Sequence, residues 1–441
     1  MKNKSYWIWQ WGDYEIYHIM KANLAREERG VNVPAFWKLS TPSVSVRFFK
    51  MFESDAGYLI CHFNGDGCVM VDNKRYGQGV RIELAAGAHK VEATILNPGA
   101  LSAMFVESDV CPSDETWVCN DLSGDLKRVG YNEYFDSFEK NPEIFPFEYK
   151  NIKPIGKEKY GDGVLFEFDT ELFGYLNISG VSEKDEIGVF YGESREEAID
   201  TEYSYITDFV SGEKTYRLRQ RALRYVYLTG VSENVEVSVE YEYLPLEALG
   251  SFKCENELLN RVCEAAAYTF HLNCREGFFD GIKRDRWVWS GDAYQSARIN
   301  RYLFADKEIE QRTLIGLVGK SPVNQHINTI LDYSQLWIIM LYEHYMAYGD
   351  NDFLRRIYPM ASELLRFTET RFNSDGFIEG KGDWTFIDWS KIDKCGAVCA
   401  EQMLLIQAYK VMAELSAVLG TGEYDELMKK SIELKKRTDE Y

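Results

Sequence analysis

Residues 276–292 contain four acidic side chains, three basic side chains and two tryptophans within 17 positions. Cleavage of a glycosidic bond needs one carboxyl group that protonates the leaving oxygen and a second that activates water or attacks carbon. Further carboxylates bind sugar hydroxyls, and an aromatic ring supplies an apolar wall for the sugar. The segment has the side chains for this chemistry, but its composition by itself is more typical of a salt-bridged loop that caps the following helix.

The order of residues 280–292 resembles the active-site segment of bacterial α-L-rhamnosidases. In that family the segment reads Asp, three residues, Arg-Glu, six residues and Asp, close to Trp and Gly. Asp280, Arg284, Asp285 and Asp292 match this spacing without a gap. The similarity extends over most of the chain from about residue 40. It includes residues 223–230 (last sandwich strand), 252–260 (start of the helical barrel) and 386–389 (a later Asp-Trp loop).

The resemblance implies an inverting glycoside hydrolase that releases terminal α-L-rhamnose, or a similar deoxysugar, from a rhamnose-containing glycoside. It assigns the general acid to Asp285. It assigns contacts with the sugar to six residues, which are Asp280, Arg284, Trp289, Asp292, Asp388 and Trp389. We expect no cofactor and no metal site, because the six histidines are isolated from one another and none pairs with a cysteine.

Two departures from the family pattern affect the expected activity. The family's acid is usually Glu, and Asp285 is one methylene shorter. The family's catalytic base is a Glu in the second half of the barrel and would lie beyond Tyr441, so the chain resembles a member truncated at its C-terminus. Glu379, Glu401 and Glu414 are available carboxylates, but none stands in the family's base context. We therefore expect little hydrolysis by this chain alone, and the alternative is a non-catalytic carbohydrate-binding protein or an inactive fragment.

The elements that must position these residues fall into two halves. From about residue 43 to residue 243, short runs of alternating apolar and polar residues predict antiparallel β-sandwiches. After Pro245 the pattern predicts about seven helices, the first of them capped by Asn256. Together with the resemblance, this predicts a multidomain β plus α fold. Two N-terminal antiparallel β-sandwich domains, at 1–130 and 131–248, precede an incomplete (α/α)6 barrel at 249–441.

Composition limits the partners and the compartment. The chain has 441 residues, of which 45% are hydrophobic, so it can form a sizeable core. Its 70 acidic and 50 basic residues give a net charge of -20, which repels phosphate backbones and anionic lipids. We therefore expect neither a nucleic-acid nor a membrane partner. The N-terminus lacks an apolar signal region, and nine scattered cysteines favour reduced thiols and a cytoplasmic location.

Overall fold

The structure is a computed structural model that describes residues 4–25, 40–122 and 124–440. Strands dominate up to Tyr243 and helices dominate after it, which confirms the predicted mixed β plus α class. Among the described helices, none combines the length and the apolar composition that crossing a lipid bilayer requires.

The first β region contains two antiparallel sheets that share one hydrophobic core. Alternate residues of its strands are buried, such as Val46 and Phe48 in one sheet and Leu59 and Cys61 in the other. The five-stranded sheet, in the order β11-β1-β8-β3-β6, consists of β1 Ile8–Trp9, β3 Gly57–Asn64, β6 Ile82–Leu84, β8 Ala103–Ser108 and β11 Gly130–Tyr131. The six-stranded sheet, in the order β10-β9-β2-β7-β4-β5, consists of β2 Ser45–Ser54, β4 Asp66–Val71, β5 Lys74–Tyr76, β7 Gly87–Leu96, β9 Val118–Asn120 and β10 Lys127–Arg128.

The second β region is a seven-stranded antiparallel sheet with a core of its own. Its strand order is β12-β18-β14-β17-β15-β16, and β13 pairs with β14. The strands are β12 Glu148–Ile152, β13 Gly156–Tyr160, β14 Gly163–Ser179, β15 Ile187–Gly192, β16 Thr207–Val210, β17 Tyr216–Thr229 and β18 Glu236–Tyr243. A short helix, α2 (Arg195–Ile199), follows β15 and carries carboxylates toward the helical region.

The described C-terminal region contains seven α-helices, as the sequence predicts. They are α3 Glu257–Asn273, α4 Ser290–Leu303, α5 Lys307–Val318, α6 Leu331–Tyr348, α7 Asn351–Glu369, α8 Cys399–Leu419 and α9 Tyr424–Glu440. The predicted cap at Asn256 is confirmed, because its side chain accepts hydrogen bonds from the N–H groups of Leu258 and Leu259 at the start of α3. A single 3₁₀ turn, Ile327–Thr329, precedes α6.

A helix near the N-terminus, α1 (Asp13–Leu24), was not predicted from the sequence. It packs against α5, and its buried residues belong to the same hydrophobic core as the C-terminal helices. Gly316 of α5 permits this contact, since a Cβ there would lie 2.6 Å from the Ile19 side chain.

Candidate functional site

The 280–289 loop closes on itself through Asp280. Asp280 Oδ1 accepts hydrogen bonds from the N–H groups of Gly281 and Trp287, both at 2.9 Å. The Asp280 N–H donates to the Trp287 carbonyl oxygen at 2.9 Å, and the Arg286 N–H donates to the Gly281 carbonyl oxygen at 3.1 Å. The shape of the loop therefore depends on one half-buried carboxylate.

Three carboxyl groups meet at this loop. Asp280 and Asp285 are half-buried within it, and Asp292 lies in the first turn of α4 with more than a third of its surface exposed. Burial raises the pKa of Asp280 to about 6, and the charges of Asp285 and Asp292 contribute to this rise. Burial also raises the pKa of Asp292, and the negative charge of Asp285 adds to this rise. The three acids that the sequence singled out thus form one cluster.

The three cations of the loop have different surroundings. Arg284 is exposed and forms no hydrogen bond or ion pair with another described residue. The Lys283 ammonium lies 2.5 Å from Glu197 Oε1 of α2, so it ties the loop to the second β region. Arg286 is buried, and its Nη2 donates to the Ala25 carbonyl oxygen at 3.1 Å. Lys283 thus has the structural role expected of a salt-bridged loop, whereas Arg284 is available to a ligand.

The end of the loop is fixed against the segment that leads into α6. Asn328 Oδ1 accepts a hydrogen bond from the Ser290 N–H at 2.9 Å, and its Nδ2 donates to the Val288 carbonyl oxygen at 3.1 Å. Ser290 Oγ donates to the Tyr333 carbonyl oxygen at 2.9 Å. A Cβ at Gly291 would lie 2.8 Å from the Tyr333 ring, so the close approach of this ring to α4 requires glycine there.

A row of aromatic rings, which we call the aromatic row, connects the two sequence segments that were predicted to bind sugar. Trp289 contacts Tyr333 at a ring-centroid distance of 6.4 Å, Tyr333 contacts Phe386 at 5.6 Å, and Phe386 contacts Trp389 at 5.1 Å, all edge to face. Trp384 completes the row beside Phe386 and Trp389. Trp389 is 80% exposed and Trp384 45% exposed, so the outer end of the row faces solvent.

Asp388 is a predicted site residue that lies outside the carboxyl cluster. Its side chain is exposed, and no hydrogen bond or ion pair within the described chain joins its carboxylate to the Asp280 cluster. Its backbone N–H donates to the Phe386 carbonyl oxygen at 2.6 Å, and its carbonyl oxygen accepts from the Lys394 ammonium. It therefore lies on the same loop as Trp389 without joining the carboxyl cluster.

Asp332 holds the second half of the site, and sequence reasoning did not single it out. Its Oδ1 accepts a hydrogen bond from the Phe386 N–H at 2.9 Å, and its Oδ2 accepts one from the Ile387 N–H at 3.3 Å. In addition, the Leu331 N–H donates a hydrogen bond to the Trp384 carbonyl oxygen, and the Trp384 N–H donates one to the Thr329 carbonyl oxygen. The sequence signal that could have identified Asp332 is a charged residue at the start of a strongly apolar helix. This signal is weak, because acidic residues are common in the first turn of a helix for reasons unrelated to function.

Backbone strain is concentrated around this site. Arg286, Asn328, Thr329 and Ile387 have φ angles of 49°, 53°, 61° and 53°, in the left-handed region. This conformation is costly for residues other than glycine and is a clear outlier for β-branched Thr329 and Ile387. Such residues persist only where surrounding contacts hold them, and they cluster at functional sites.

The carboxylates considered as a second catalytic group have contacts of their own. Glu379 Oε1 accepts a hydrogen bond from Asn373 Nδ2 at 2.5 Å. Glu401 is buried against Asp332, and Glu414 contacts the Tyr342 hydroxyl. Within the described ranges, no group of three or more His, Cys, Asp or Glu side chains is arranged to hold a metal ion.

Comparison with protein families divides the chain into two matched parts. Residues 46–228 match a family described as α-rhamnosidase-like, Bacteroidetes, N-terminal. Residues 247–438 match the six-hairpin glycosidase domain of bacterial α-L-rhamnosidases. The 280–289 loop and the aromatic row both lie in the second part, so the candidate site is in the region that matches the glycosidase domain.

Individual relatives are also α-L-rhamnosidases or rhamnosidases. An α-L-rhamnosidase of Formosa agariphila is 22% identical over 211 residues, which are 42% of this chain and 22% of that protein. The solved rhamnosidase of Bacillus sp. GL1 has a TM-score of 0.55 at 19% identity and covers 89% of this chain. This chain spans 52% of the Bacillus structure, about half its length.

A second solved structure shares the fold at the same level. The rhamnosidase of Klebsiella oxytoca, determined with rhamnose bound, has a TM-score of 0.56 at 19% identity and covers 66% of this chain and 70% of that one. The β-then-α order, the two matched families and these relatives lead to one conclusion. Residues 247–438 match the six-hairpin glycosidase domain of bacterial α-L-rhamnosidases, and the chain resembles these proteins over both its β-rich and its helical part.

Proposed function

We propose that this chain supplies the general acid and much of the sugar-binding surface of an inverting glycoside hydrolase that releases terminal α-L-rhamnose or a similar deoxysugar. The observation that carries this proposal is the cluster that Asp280 and Asp285 of the 280–289 loop form with Asp292 of α4, in the part of the chain that matches the glycosidase domain. The Klebsiella relative was solved with rhamnose bound, and we extend that ligand to this chain as part of the proposal.

We assign the role of general acid to Asp285. Unlike Asp280, its carboxyl group forms no hydrogen bond with another described residue, so it is available to a leaving oxygen. In an inverting reaction the acid protonates the glycosidic oxygen as the carbon–oxygen bond breaks. Water attacks the anomeric carbon from the opposite face, and a second carboxylate takes the proton of that water.

We assign sugar binding to the remaining site residues. Asp292 and the free oxygen of Asp280 accept hydrogen bonds from sugar hydroxyls, and the exposed guanidinium of Arg284 donates to them. Trp289, at the inner end of the aromatic row, supplies an apolar wall for the deoxysugar. Asp388 and Trp389 are assigned to the outer edge of the same surface, where both are exposed and therefore accessible to a substrate.

We further propose that the chain acts in a reducing compartment, the cytoplasm, on a soluble rhamnose-containing glycoside. All nine cysteines are free thiols, and four of them (Cys61, Cys111, Cys119 and Cys274) are buried. Unpaired buried thiols are ordinary in reducing compartments, where disulfides are rare. The net charge of -20 supports a substrate that is not a polyanion.

The test compares two leaving groups in the presence of formate, which attacks an anomeric carbon without help from a base. Asp285→Asn preserves the volume of the side chain and removes the proton donor. We expect a loss of roughly 10²–10⁴-fold on an alkyl α-L-rhamnoside. The loss should be much smaller on an activated aryl rhamnoside, whose leaving group needs little protonation. Binding of L-rhamnose is measured in parallel by calorimetry.

Glu379→Gln is the matched control, because it neutralises a carboxylate outside the cluster and should leave both rates unchanged. Equal losses on the two substrates would remove Asp285 from the role of acid. Cleavage of another glycoside but of no rhamnoside would show that the proposed sugar is wrong and that the proposed reaction class is right. Rhamnose binding without any turnover would favour a non-catalytic binding protein.

A further inference from the structure

Two buried carboxyl groups lie beneath the aromatic row, and the proposed reaction uses neither. Asp332 is in the first turn of α6 and Glu401 in the first turn of α8, and each side chain is 1% exposed. The two carboxyl groups are in hydrogen-bonding contact with each other. No N–H or O–H group of a described residue donates to either oxygen of Glu401. Within the described chain, the Asp332 carboxyl group is therefore the hydrogen-bond partner of Glu401.

This contact requires a shared proton. Two ionised carboxylates repel each other, and neither has a cation among the described residues to offset burial. Burial raises the pKa of Glu401 to about 9, and the negative charge of Asp332 adds to the rise. Burial raises the pKa of Asp332 as well, but the backbone hydrogen bonds that it accepts from Phe386 and Ile387 oppose this rise and favour its ionised form. At neutral pH the proton thus resides on Glu401, which donates it to Asp332.

The loop that Asp332 holds is strained and carries the exposed aromatic rings. Residues 384–389, here called the aromatic loop, contain Ile387 at a φ of 53°, a conformation that a β-branched residue adopts only when held. Asp332 Oδ2 accepts a hydrogen bond from the N–H of this residue, and its Oδ1 accepts one from the N–H of Phe386. Phe386 in turn lies between Tyr333 and Trp389 in the aromatic row.

We propose that Asp332 and Glu401 form a proton-sharing pair of positioning residues that holds the aromatic loop against Tyr333 and so fixes the aromatic wall of the sugar site. The assignment of this wall to a sugar rests on the proposed function, whereas the holding of the loop does not. The charged and titratable surroundings are simple. Within the described part of the chain, Glu401 faces Asp332 alone. The charge of Asp332 also acts on the Tyr333 hydroxyl, and so do the charges of Asp280 and Asp292.

The experiment follows amide hydrogen exchange of the peptide that contains Phe386 and Ile387, corrected for the intrinsic exchange rate at each pH. In the wild type, protection should fall about tenfold as the pH rises through about 9, because ionised Glu401 then repels Asp332. Glu401→Gln keeps a hydrogen-bond donor that does not titrate, so its protection should stay constant over the same range. Glu379→Gln, on the neighbouring hairpin, should retain the wild-type fall.

A second arm removes the acceptor that holds the loop. Asp332→Asn should reduce the protection of the same peptide about tenfold at pH 7, because one of the two backbone acceptors becomes an amide nitrogen. It should also weaken L-rhamnose binding about tenfold, whereas Glu401→Gln should not. If Asp332→Asn does not fold, the wild-type and Glu401→Gln pH series decide the question alone.

The outcomes separate the two proposals. Protection in Glu401→Gln that falls with pH as in the wild type would overturn the proton-sharing pair, whatever the protein binds. Constant protection in the wild type up to pH 10 would overturn it too. If the exchange results are as expected but no variant binds rhamnose, the pair stands and the proposed sugar function fails.

Discussion

At the scale of single residues, Asp280 combines a structural task with a proposed binding task. Its Oδ1 accepts the two backbone hydrogen bonds that close the 280–289 loop, and its other oxygen is left for a ligand. Burial, together with the charges of Asp285 and Asp292, raises the free energy of its ionised form. The cluster is therefore held together at a cost in stability, which is typical of sites shaped for a ligand.

This cost predicts a pH-dependent stability. The pKa of Asp280 is about 6 in the folded protein against 3.8 in the unfolded chain, so its contribution to stability is complete below pH 4 and is lost as the pH rises through 6. Asp280→Asn does not titrate and retains an oxygen for the two N–H groups. The free energy of unfolding of this variant, minus that of the wild type, should increase by about 2–3 kcal/mol between pH 4 and pH 8.

Urea denaturation at several pH values measures this difference. Asp375→Asn is the control, because Asp375 is an exposed loop carboxylate far from the cluster in sequence, and the difference for this variant should stay constant. A difference for Asp280→Asn that shrinks with rising pH would show that the carboxylate is stabilised, and not opposed, by its neighbours.

At the scale of elements, the 280–289 loop is held between parts of the chain that fold as separate cores. Lys283 reaches α2 of the second β region, and Arg286 reaches the end of α1. The pair between Lys283 and Glu197 is largely shielded, with 15% and 30% of the two side chains exposed. Burial raises the pKa of Glu171 to about 8, the charges of Glu193 and Glu197 add to this rise, and the charge of Lys283 opposes it.

Lys283→Met should therefore loosen the loop. Removing the positive charge that pairs with Glu193 and Glu197 should cost about 1–2 kcal/mol, since charge-assisted hydrogen bonds of shielded pairs contribute this much. Amide exchange of residues 280–289 should accelerate, and rhamnose binding should weaken. Lys159→Met is the matched control, because its ion pair with Glu233 is about two-thirds exposed and contributes little. Similar effects of the two substitutions would argue against a specific clamp.

At the scale of the whole molecule, the described chain offers one well-matched acid and no evident partner for it. An inverting site holds its two carboxyl groups about 6.5–9.5 Å apart with water between them. Glu401 carries its proton up to a pH of about 9, so it cannot accept one from water near neutrality. Glu379 is engaged by Asn373, and Glu414 by Tyr342. The second carboxylate of the reaction is therefore not evident among these candidates.

We accordingly expect the 441-residue chain to hydrolyse rhamnosides slowly or not at all in plain buffer. Formate or azide should partly restore turnover, because each attacks the anomeric carbon without a base while Asp285 still donates its proton. Release of rhamnose with and without the additive is the measurement. Rapid hydrolysis without an additive would contradict this expectation. Glu379→Gln and Glu401→Gln would then show which carboxylate acts as the base.

Much of the fold was predictable because its signals are local. The strands around Val46, Leu59 and Val91 alternate between buried and exposed positions, and Asn256 marks the start of α3. β8 (Ala103–Ser108) was not predicted, because its first four residues are all buried and give no alternation. The division of the chain at residues 130 and 248 stays a prediction, as do the individual roles of the site residues.

The sequence by itself determined the β-then-α order and the spacing of Asp280, Asp285 and Asp292, which one short loop brings together. Tertiary structure alone decided that Trp289 and Trp389 share one aromatic row, although 100 positions separate them. It also decided that Glu401 lies against Asp332. The physical reason is that periodicity and caps act within a few residues, whereas these contacts arise when α6 and α8 pack and strained loops settle between them. Loop sequences have no periodic pattern from which their contact partners could be predicted.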